Sequence, residues 1–429
     1  MIEDESIPQT EPFDDPRLRG FRSRARVEAL IAWIDDEHPH QLAIETVELA
    51  AGLSRVLGED VRAEAAVPRF ARAAMDGFAL RGDETKTSTR DKPSVFRIVG
   101  ESKPGREIGK LGPFNLGEAI RIATGAPLPQ GLDAVAPFEI VESDGELVRV
   151  FEETASGRHV GAIGEDIQTG EIVLSRGRLL RPQDLGVLSA LGLPQVRVVR
   201  KPAVSIVVTG DELLPAGSKS SGSEIADANS PMLAALVERD GGIAAIIGPL
   251  SDDRAGLRAA IRLEADRADL VIVSGGSSVG PEDHAPAIIA ELGRLAFHGV
   301  ALRPASPTGL GMLLKEDGST VLVALLPGNP VSCLCGYDFF AGRIVRLLGG
   351  RSPAWPYLSR DARLSVDYES GAGRVDYVRA TIDQDGRVRP IARSGASILS
   401  SVTRADGFFV VSAEVDRLQV GDPVVFWLY

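Results

Sequence analysis

Three hydrophobic runs that each end in a glycine turn constrain this chain more than any other feature: VSIVVTGDEL at 204–213, LVIVSGGSSVG at 270–280 and VLVALLPGNP at 321–330. Short apolar runs rich in Val and Ile read as buried parallel strands, because a strand covered by helices on both faces loses its period-two alternation. In doubly wound sheets the carboxyl ends of such strands are where ligands bind. Glycine there lets the backbone come close to a ligand. Glu212, Asp252 and Asp283 stand in or near these turns. The pattern therefore predicts a site where backbone amides hold a polyanion and carboxylates hold a metal ion.

The rest of the chain is organised around that region. From Lys201 to about Leu348 the order strand, loop, helix repeats, which specifies a three-layer α/β domain with a mostly parallel sheet. The expected boundaries are a disordered start at 1–15, a helical and mixed first domain at 16–67 completed by 153–200, and an inserted β-rich domain at 68–152. The α/β domain takes 201–350, and 351–429 reads as a compact, barrel-like antiparallel β domain. VEALIAWIDD and ETVELAAGLSRVL have helical spacing and predict two amphipathic helices. Their apolar faces need a partner, which a second copy of the chain in a homodimer would supply.

Composition excludes several classes. The 429 residues carry a formal net charge of −13, which argues against nucleic acid and against an anionic membrane surface. No apolar run reaches the roughly 18 residues that span a bilayer. The acidic opening MIEDESIPQTEPFDD lacks the basic and then apolar order of a signal peptide. Cys333 and Cys335 are the only cysteines, and their spacing inside an expected helix points them apart, so neither a disulfide nor a metal pair is predicted. Reduced, cytoplasmic residence follows. Of the five histidines, His38 and His40 fall in a polar linker, and His284 beside Asp283 reads as a bystander.

Each turn has a plain alternative. TGDEL at 209–213 joins Thr209 and Gly210 to two acids and is otherwise a turn with solvated carboxylates. SGGSSVGPEDH at 274–284 offers the amides of Ser274, Gly275, Gly276, Ser277 and Ser278 as an anion nest, or is only a flexible loop. LPGNPVS at 326–332 brings Pro327, Gly328 and Asn329 to a helix start with Pro330 in its first turn, or is a purely structural connection. Three such turns on sister strands favour a site. Asp252 follows the strand IAAIIGPL, while Asp253 reads as the cap of the next helix.

The same turns belong to a longer series: ARAAMDGFAL (71–80), IRIATGAPLPQGLDAVAPFE (120–139), GEDIQTGEIV (164–173), TGDEL, SGGSSVG, LPGNPVS and GASILSSVTRADGFFVV (395–411). In content and order this series resembles the molybdopterin molybdenumtransferases, the family of MoeA and of the E domain of gephyrin. The resemblance implies a four-domain chain in an elongated homodimer that inserts molybdate into adenylylated molybdopterin and releases AMP, with Mg2+ or another divalent ion. It implies Glu212, Asp252 and Asp283 as catalytic carboxylates on the metal side. Asp76 and Thr124 would project into the site of the opposite subunit. Thr209, Gly210, Ser274, Gly275, Gly276, Ser278, Arg303, Pro327, Gly328 and Asn329 are the matching candidates for holding the pterin and its phosphate. Possible partners are the molybdopterin adenylyltransferase and recipient molybdoenzymes.

The sequence also departs from that family. Where relatives carry a Lys-Pro-Gly-Lys-Pro run, it reads Arg303-Pro304-Ala305-Ser306-Pro307; Gly299 stands where many have lysine, and Arg158-His159-Val160-Gly161 replaces a common Asn-Val-Arg. Losing a charged partner weakens an anion contact by roughly 1.5–3 kcal/mol. Arginines elsewhere compensate, or the chain is a non-catalytic or altered paralogue; the adenylyltransferase is a third reading.

Overall fold

A computed structural model describes residues 21, 23–37, 41–106, 112–278, 280, 283–371, 373–391 and 395–429. The start at 1–15 and the histidines His38 and His40 lie outside the described residues. The chain divides into two compact units. One runs up to Glu45, takes Ser54–Val56 and resumes over Val198–Tyr429; the other comprises Thr46–Leu53 and Leu57–Arg197.

The first unit opens with helix α1 (Val27–Asp36) and centres on β1 (Ala203–Thr209), α2 (Asn229–Arg239), β2 (Ile243–Leu250), α3 (Arg254–Arg267), β3 (Leu270–Ser274), α4 (Ala285–Leu292), β4 (Gly293–His298), β5 (Gly309–Leu314) and β6 (Thr320–Leu326). The strands lie in the order β2-β1-β3-β6-β5-β4. The first four are parallel and the last two antiparallel. The hairpin of β4 and β5 was not legible in GRLAFH and GLGMLL, which contain no β-branched residue. After β2 the chain crosses back and lays β3 on the other side of β1, which opens a crevice at their carboxyl ends. Register levels those ends, because Val208 pairs with Ser274 and Ser274 with Leu326.

Alternation along these strands feeds two cores. Val204, Ile206, Val208, Ile272 and Ala324 point to the side of Leu233 and Val237 of α2. Val207, Val271, Val273, Val323 and Leu325 point to Leu257 and Ile261 of α3 and Ile288 and Ile289 of α4. Apolar residues on both faces explain the unbroken hydrophobic runs. Beyond β6, α5 (Pro330–Gly336), a π turn (Tyr337–Ala341) and α6 (Gly342–Leu348) form one helical stretch, with Cys333 and Cys335 buried in it. Burial pushes the Cys333 thiol up to about 12 and the Cys335 thiol well above its usual value, so both stay protonated and unreactive.

Helix α1 finds its partner within the chain. Val27, Leu30 and Ile34 join the core of the first unit, Trp33 meets Phe297 edge-on at 5.9 Å, and Asp35 accepts from Arg343 Nη2 at 2.7 Å. Its apolar face gives no reason for a second subunit. The second expected helix is absent: Ile44–Glu48 is a strand with alternating exposure, followed by a 3-10 turn over Leu49–Gly52. Ile44, Thr46 and Val47 are β-branched and favour the extended chain, and Gly52 ends the turn.

Toward the C-terminus, strands Leu358–Leu364, Val375–Ile382, Arg387–Pro390, Gly407–Val411 and Pro423–Leu428 close on themselves, because Val375–Ile382 pairs with both Arg387–Pro390 and Gly407–Val411. One pairing, Arg363–Leu364 with Arg387–Val388, is parallel. Leu302–Arg303 adds to the edge beside Val375 and Asp376. In the second unit a six-stranded sheet runs in the order Ala134–Pro137, Gly77–Leu80, Glu118–Ile122, Ser94–Ser102, Leu147–Val150, Val141–Ser143. Apolar clusters around Ile120 and Phe96 cover its two faces. Helix Pro182–Ala190 forms as expected from PQDLGVLSALG, with Pro182 in its first turn.

Candidate functional site

The crevice at the carboxyl ends of β1, β3 and β6 is a cavity of about 520 Å³. Its lining contains Thr209, Gly210, Glu212, Asp252, Ser274, Gly275, Gly276, Ser278, Asp283, Pro327, Gly328 and Asn329, so the three glycine turns do converge. Gly275 and Gly276 take φ of +99° and +55°, the left-handed region in which successive amides point to one side. An added Cβ at Gly275 would lie 2.2 Å from the Thr209 carbonyl oxygen, so packing between adjacent strands requires glycine there as well.

The carboxylates are held differently. Asp252 accepts Thr209 Oγ1 at 2.7 Å, and its amide donates to Asp211 Oδ1 at 3.0 Å. Asp283 Oδ2 accepts the Gly280 amide at 2.6 Å, which folds the loop back on itself. Glu212 is exposed and its carboxyl lies over Gly210. Asp253 caps α3 by accepting the Gly256 amide at 2.7 Å, as its position predicts. Among the described residues no three His, Cys, Asp or Glu side chains are grouped closely enough to hold a metal ion by themselves. Oxygen donors of this kind nevertheless suit Mg2+, which is commonly held by one or two carboxylates together with substrate phosphates.

Other expected groups are already engaged within the protein or line a second cavity. The Ser274 hydroxyl is buried and accepts Asn229 Nδ2 at 3.0 Å. At the start of α5 the Val331 amide donates to the Ala396 carbonyl at 2.9 Å and is not available to a ligand. Arg303 lines an adjoining cavity of about 320 Å³ that shares Pro307, Pro327 and Asn329 with the first. There it pairs with the buried Asp376 and is joined by Arg374 and Arg379. The Arg379 Nε has no partner among the described residues, and burial holds this guanidinium below its usual value. Ser306, on the same wall, accepts Arg24 Nε at 2.8 Å, so an arginine distant in sequence stands at the position where a lysine is missing. Gly299 has φ of +97°, and a Cβ there would lie 2.6 Å from the Phe21 ring, which excludes a side chain.

In the second unit Asp76 and Thr124 are paired: Asp76 Oδ1 accepts the Thr124 amide at 2.7 Å and its hydroxyl at 3.1 Å, both in exposed positions. Gly161 lies against Glu165, whose Oε1 would be 2.7 Å from an added Cβ and accepts Arg72 Nη2 at 2.8 Å. Sequence reading missed Asp227, Asn229 and Ser397, all of which line the larger cavity. The signal available for the first two was an Asp and an Asn directly before a helical run in ADANSPMLAALV.

Comparison with known proteins agrees with this architecture along most of its length. Residues 24–192 match the MoeA N-terminal region (domain I and II), 205–346 the probable molybdopterin binding domain, and 361–429 the MoeA C-terminal region (domain IV). A Bacillus subtilis molybdopterin molybdenumtransferase is 32% identical over 377 residues, covering 86% of this chain and 85% of that protein. Molybdopterin molybdenumtransferase 2 of Mycobacterium tuberculosis is 32% identical over 391 residues, covering 89% and 94%. The crystal structure of a molybdopterin biosynthesis MoeA protein from Pyrococcus horikosii superposes with a TM-score of 0.81 at 30% identity, covering 95% of this chain and 99% of that one. With its three regions matched in order and its glycine turns gathered at one crevice, the chain belongs to the MoeA family of molybdopterin molybdenumtransferases.

Proposed function

We propose that this protein is a cytoplasmic enzyme of molybdenum cofactor biosynthesis that inserts molybdate into adenylylated molybdopterin with release of AMP. The observation that carries the reading is the convergence of Gly210, Gly275, Gly276 and Gly328 with Glu212, Asp252 and Asp283 on one cavity of about 520 Å³, within the 300–1,000 Å³ range of small-molecule sites. The amides around Gly275 and Gly276 bind phosphate oxygens. Asp252 and Asp283, each already oriented by a hydrogen bond from its own domain, would hold a divalent ion together with those oxygens and with Glu212. Bound there, the ion would polarise the phosphoanhydride. The adjoining cavity, with Arg303, Arg374 and Arg379, suits a tetrahedral oxyanion of molybdate's size and charge.

The protein acts as a homodimer in this reading, with the exposed Asp76 and Thr124 pair completing the site of the other subunit. Family membership supports the dimer, now that α1 is packed within its own chain. Light scattering that returns the mass of a single chain at all concentrations refutes it. Purified protein given adenylylated molybdopterin, molybdate and Mg2+ is expected to release AMP. No release with or without molybdate refutes the insertase reading, and ATP consumption with free molybdopterin identifies an adenylyltransferase. Recipient molybdoenzymes and the adenylyltransferase are the partners this chemistry calls for.

A further inference from the structure

Two oxygen atoms of residues that line the larger cavity lack a hydrogen-bond partner among the described residues: Oδ2 of Asp227 and Oδ1 of Asn229. The residues are only 4% and 7% exposed and sit at the start of α2. Both side chains are fixed. Asp227 Oδ1 accepts the amides of Asn229 at 2.9 Å and Ser230 at 3.0 Å, leaving its other oxygen turned away from the helix. Asn229 Nδ2 donates to the Gly328 carbonyl at 2.7 Å and to Ser274 Oγ at 3.0 Å. A carbonyl can only accept, so the nitrogen must face Gly328 and Oδ1 is locked as an acceptor. Buried acceptors without donors are costly and rare in native proteins, and at a binding site they mark where a ligand supplies the missing N–H or O–H groups.

The chemistry of that ligand group can be narrowed. Two acceptors, one of them anionic, repel phosphate and molybdate oxygens. Adenine has a single donor group, its 6-amino group, flanked by the ring acceptors N1 and N7, and the ribose diol of the AMP half also offers two O–H donors, a case that the AMP arm of the test separates. A 2-amino-4-oxo pyrimidine ring, as in a pterin, carries adjacent N–H and NH2 donors on one edge and matches both. We propose that Asp227 and Asn229 recognise the amino–amide edge of the pterin ring and so decide which heterocycle the cavity accepts. This rests on the reading of the cavity as a site for an adenylylated pterin. The α2 end then selects the ring, while the Gly275 and Gly276 turn takes the phosphate.

The test uses the full-length protein with 6-hydroxymethylpterin and 6-hydroxymethyllumazine, which differ only in an amino group against an oxygen at position 2. Binding is followed by quenching of ring fluorescence, and AMP affinity is measured alongside. Wild type is expected to prefer the pterin by about tenfold or more, because the lumazine leaves a buried acceptor unpaired. Asp227→Asn keeps an oxygen for the two backbone amides but turns an NH2 toward the ligand. It is expected to weaken pterin binding by about 10- to 100-fold, to weaken lumazine binding far less, and to leave AMP binding unchanged.

Equal wild-type affinity for the two rings overturns the proposal, independently of how the variant folds. So does an Asp227→Asn protein whose AMP affinity falls as much as its pterin affinity, which would place Asp227 against the nucleotide. A variant altered only in its Mg2+ dependence would make Asp227 a metal ligand and also overturns it. AMP release by wild type from adenylylated molybdopterin reports on the insertase reading separately. Turnover without a preference between the rings removes only the role given to Asp227 and Asn229.

Discussion

Gly275 and Gly328 are both glycines at the mouth of the cavity, yet the structure demands glycine at only one of them. At Gly275, with φ of +99°, an added Cβ would sit 2.2 Å from the Thr209 carbonyl oxygen, in the backbone of the neighbouring strand. Neither partner is a flexible side-chain end, so Gly275→Ala must push β1 and β3 apart by roughly 1 Å, just where the nest begins. The unfavourable φ and the clash together cost about 1–3 kcal/mol. For a domain of this size each kcal/mol lowers Tm by roughly 2–4 °C, so a fall of about 3–10 °C is expected. A displacement near 1 Å at the reacting groups lowers turnover about 100-fold. At Gly328 the nearest atom to an added Cβ is the Gly275 Cα at 3.7 Å, an ordinary contact. Gly328→Ala is therefore expected to melt within about 1 °C of wild type, because the protein itself has room for the methyl group. If its turnover nevertheless falls by tenfold or more, the methyl occupies space that the substrate needs. Thermal melts and AMP release for both variants separate the two roles. A fully active Gly275→Ala protein, or a Gly328→Ala protein unchanged in Tm and in turnover, refutes the assignment of these turns to phosphate binding.

Further outcomes follow from the same geometry. Asp283→Asn keeps an acceptor for the Gly280 amide while removing the charge, so AMP release should fall by at least about 100-fold with Tm unchanged; Asp283→Ala should lower both, and equal activity of wild type and the Asn variant at saturating Mg2+ removes Asp283 from the site. Arg24→Ala should weaken molybdate binding by about two- to fivefold at low salt and less at high salt, because the contact with Ser306 is exposed, and Ser306→Lys in that background should restore it; no change in either protein places Ser306 away from the anion. Asp338 is fully buried and desolvation raises its carboxyl to about 6. The folded state thus holds this proton more tightly than the unfolded chain, and stability contributed by Asp338 is present below about pH 4 and lost as pH rises to about 6. A rise of about two pH units at 1.36 kcal/mol each is about 3 kcal/mol. The stability of Asp338→Asn relative to wild type, from urea midpoints, should grow by that order between pH 4 and pH 7, and a flat difference refutes it.

What the sequence disclosed and what it hid follow a physical division. The runs ending at Thr209, Ser274 and Leu326 were legible because central parallel strands are apolar throughout and their turns need glycine for backbone reasons. Asp253 was legible as a cap because capping is local. The segment ETVELAAGLSRVL misled because its apolar residues fit a helical period, whereas the β-branched Thr46 and Val47, with Ile44 just before it, favour the extended chain and exposure alternates over Ile44–Glu48. The strands GRLAFH and GLGMLL were hidden for the opposite reason, since they pair through the backbone with no β-branched residue and only Phe297 among the residue types that mark strands. The contact of Arg24 with Ser306 spans 282 positions, and no local pattern announces such a pairing. Asp227 and Asn229 belong to the same class. Their meaning lies in which of their oxygens is left over after the Ser230 amide has engaged Asp227 Oδ1 and the Gly328 carbonyl has engaged Asn229 Nδ2, and that remainder exists only in the folded chain.

This distance dependence bears on the missing lysines of the basic segment. Lysine at position 299 is excluded by the left-handed backbone and the Phe21 ring, so this charge could not be kept without moving the segment around residues 21–25. That same segment delivers Arg24 to Ser306, while Ala25 bonds to both Gly299 and Ala301. The loss at 299 and the gain at 306 are thus two ends of one packing arrangement. Arg303 does not fill the gap alone, since Asp376 neutralises it. The other guanidinium groups that line the cavity are those of Arg374 and Arg379, while Arg24 touches its wall through Ser306; all three come from pieces of chain far from the altered segment. Guanidinium groups bind tetrahedral oxyanions in a fork, where an ammonium acts as a point charge. In the proposed function the anion would therefore be held by residues other than those of the basic segment, and the departures in that segment give no ground for a chain that has lost its activity.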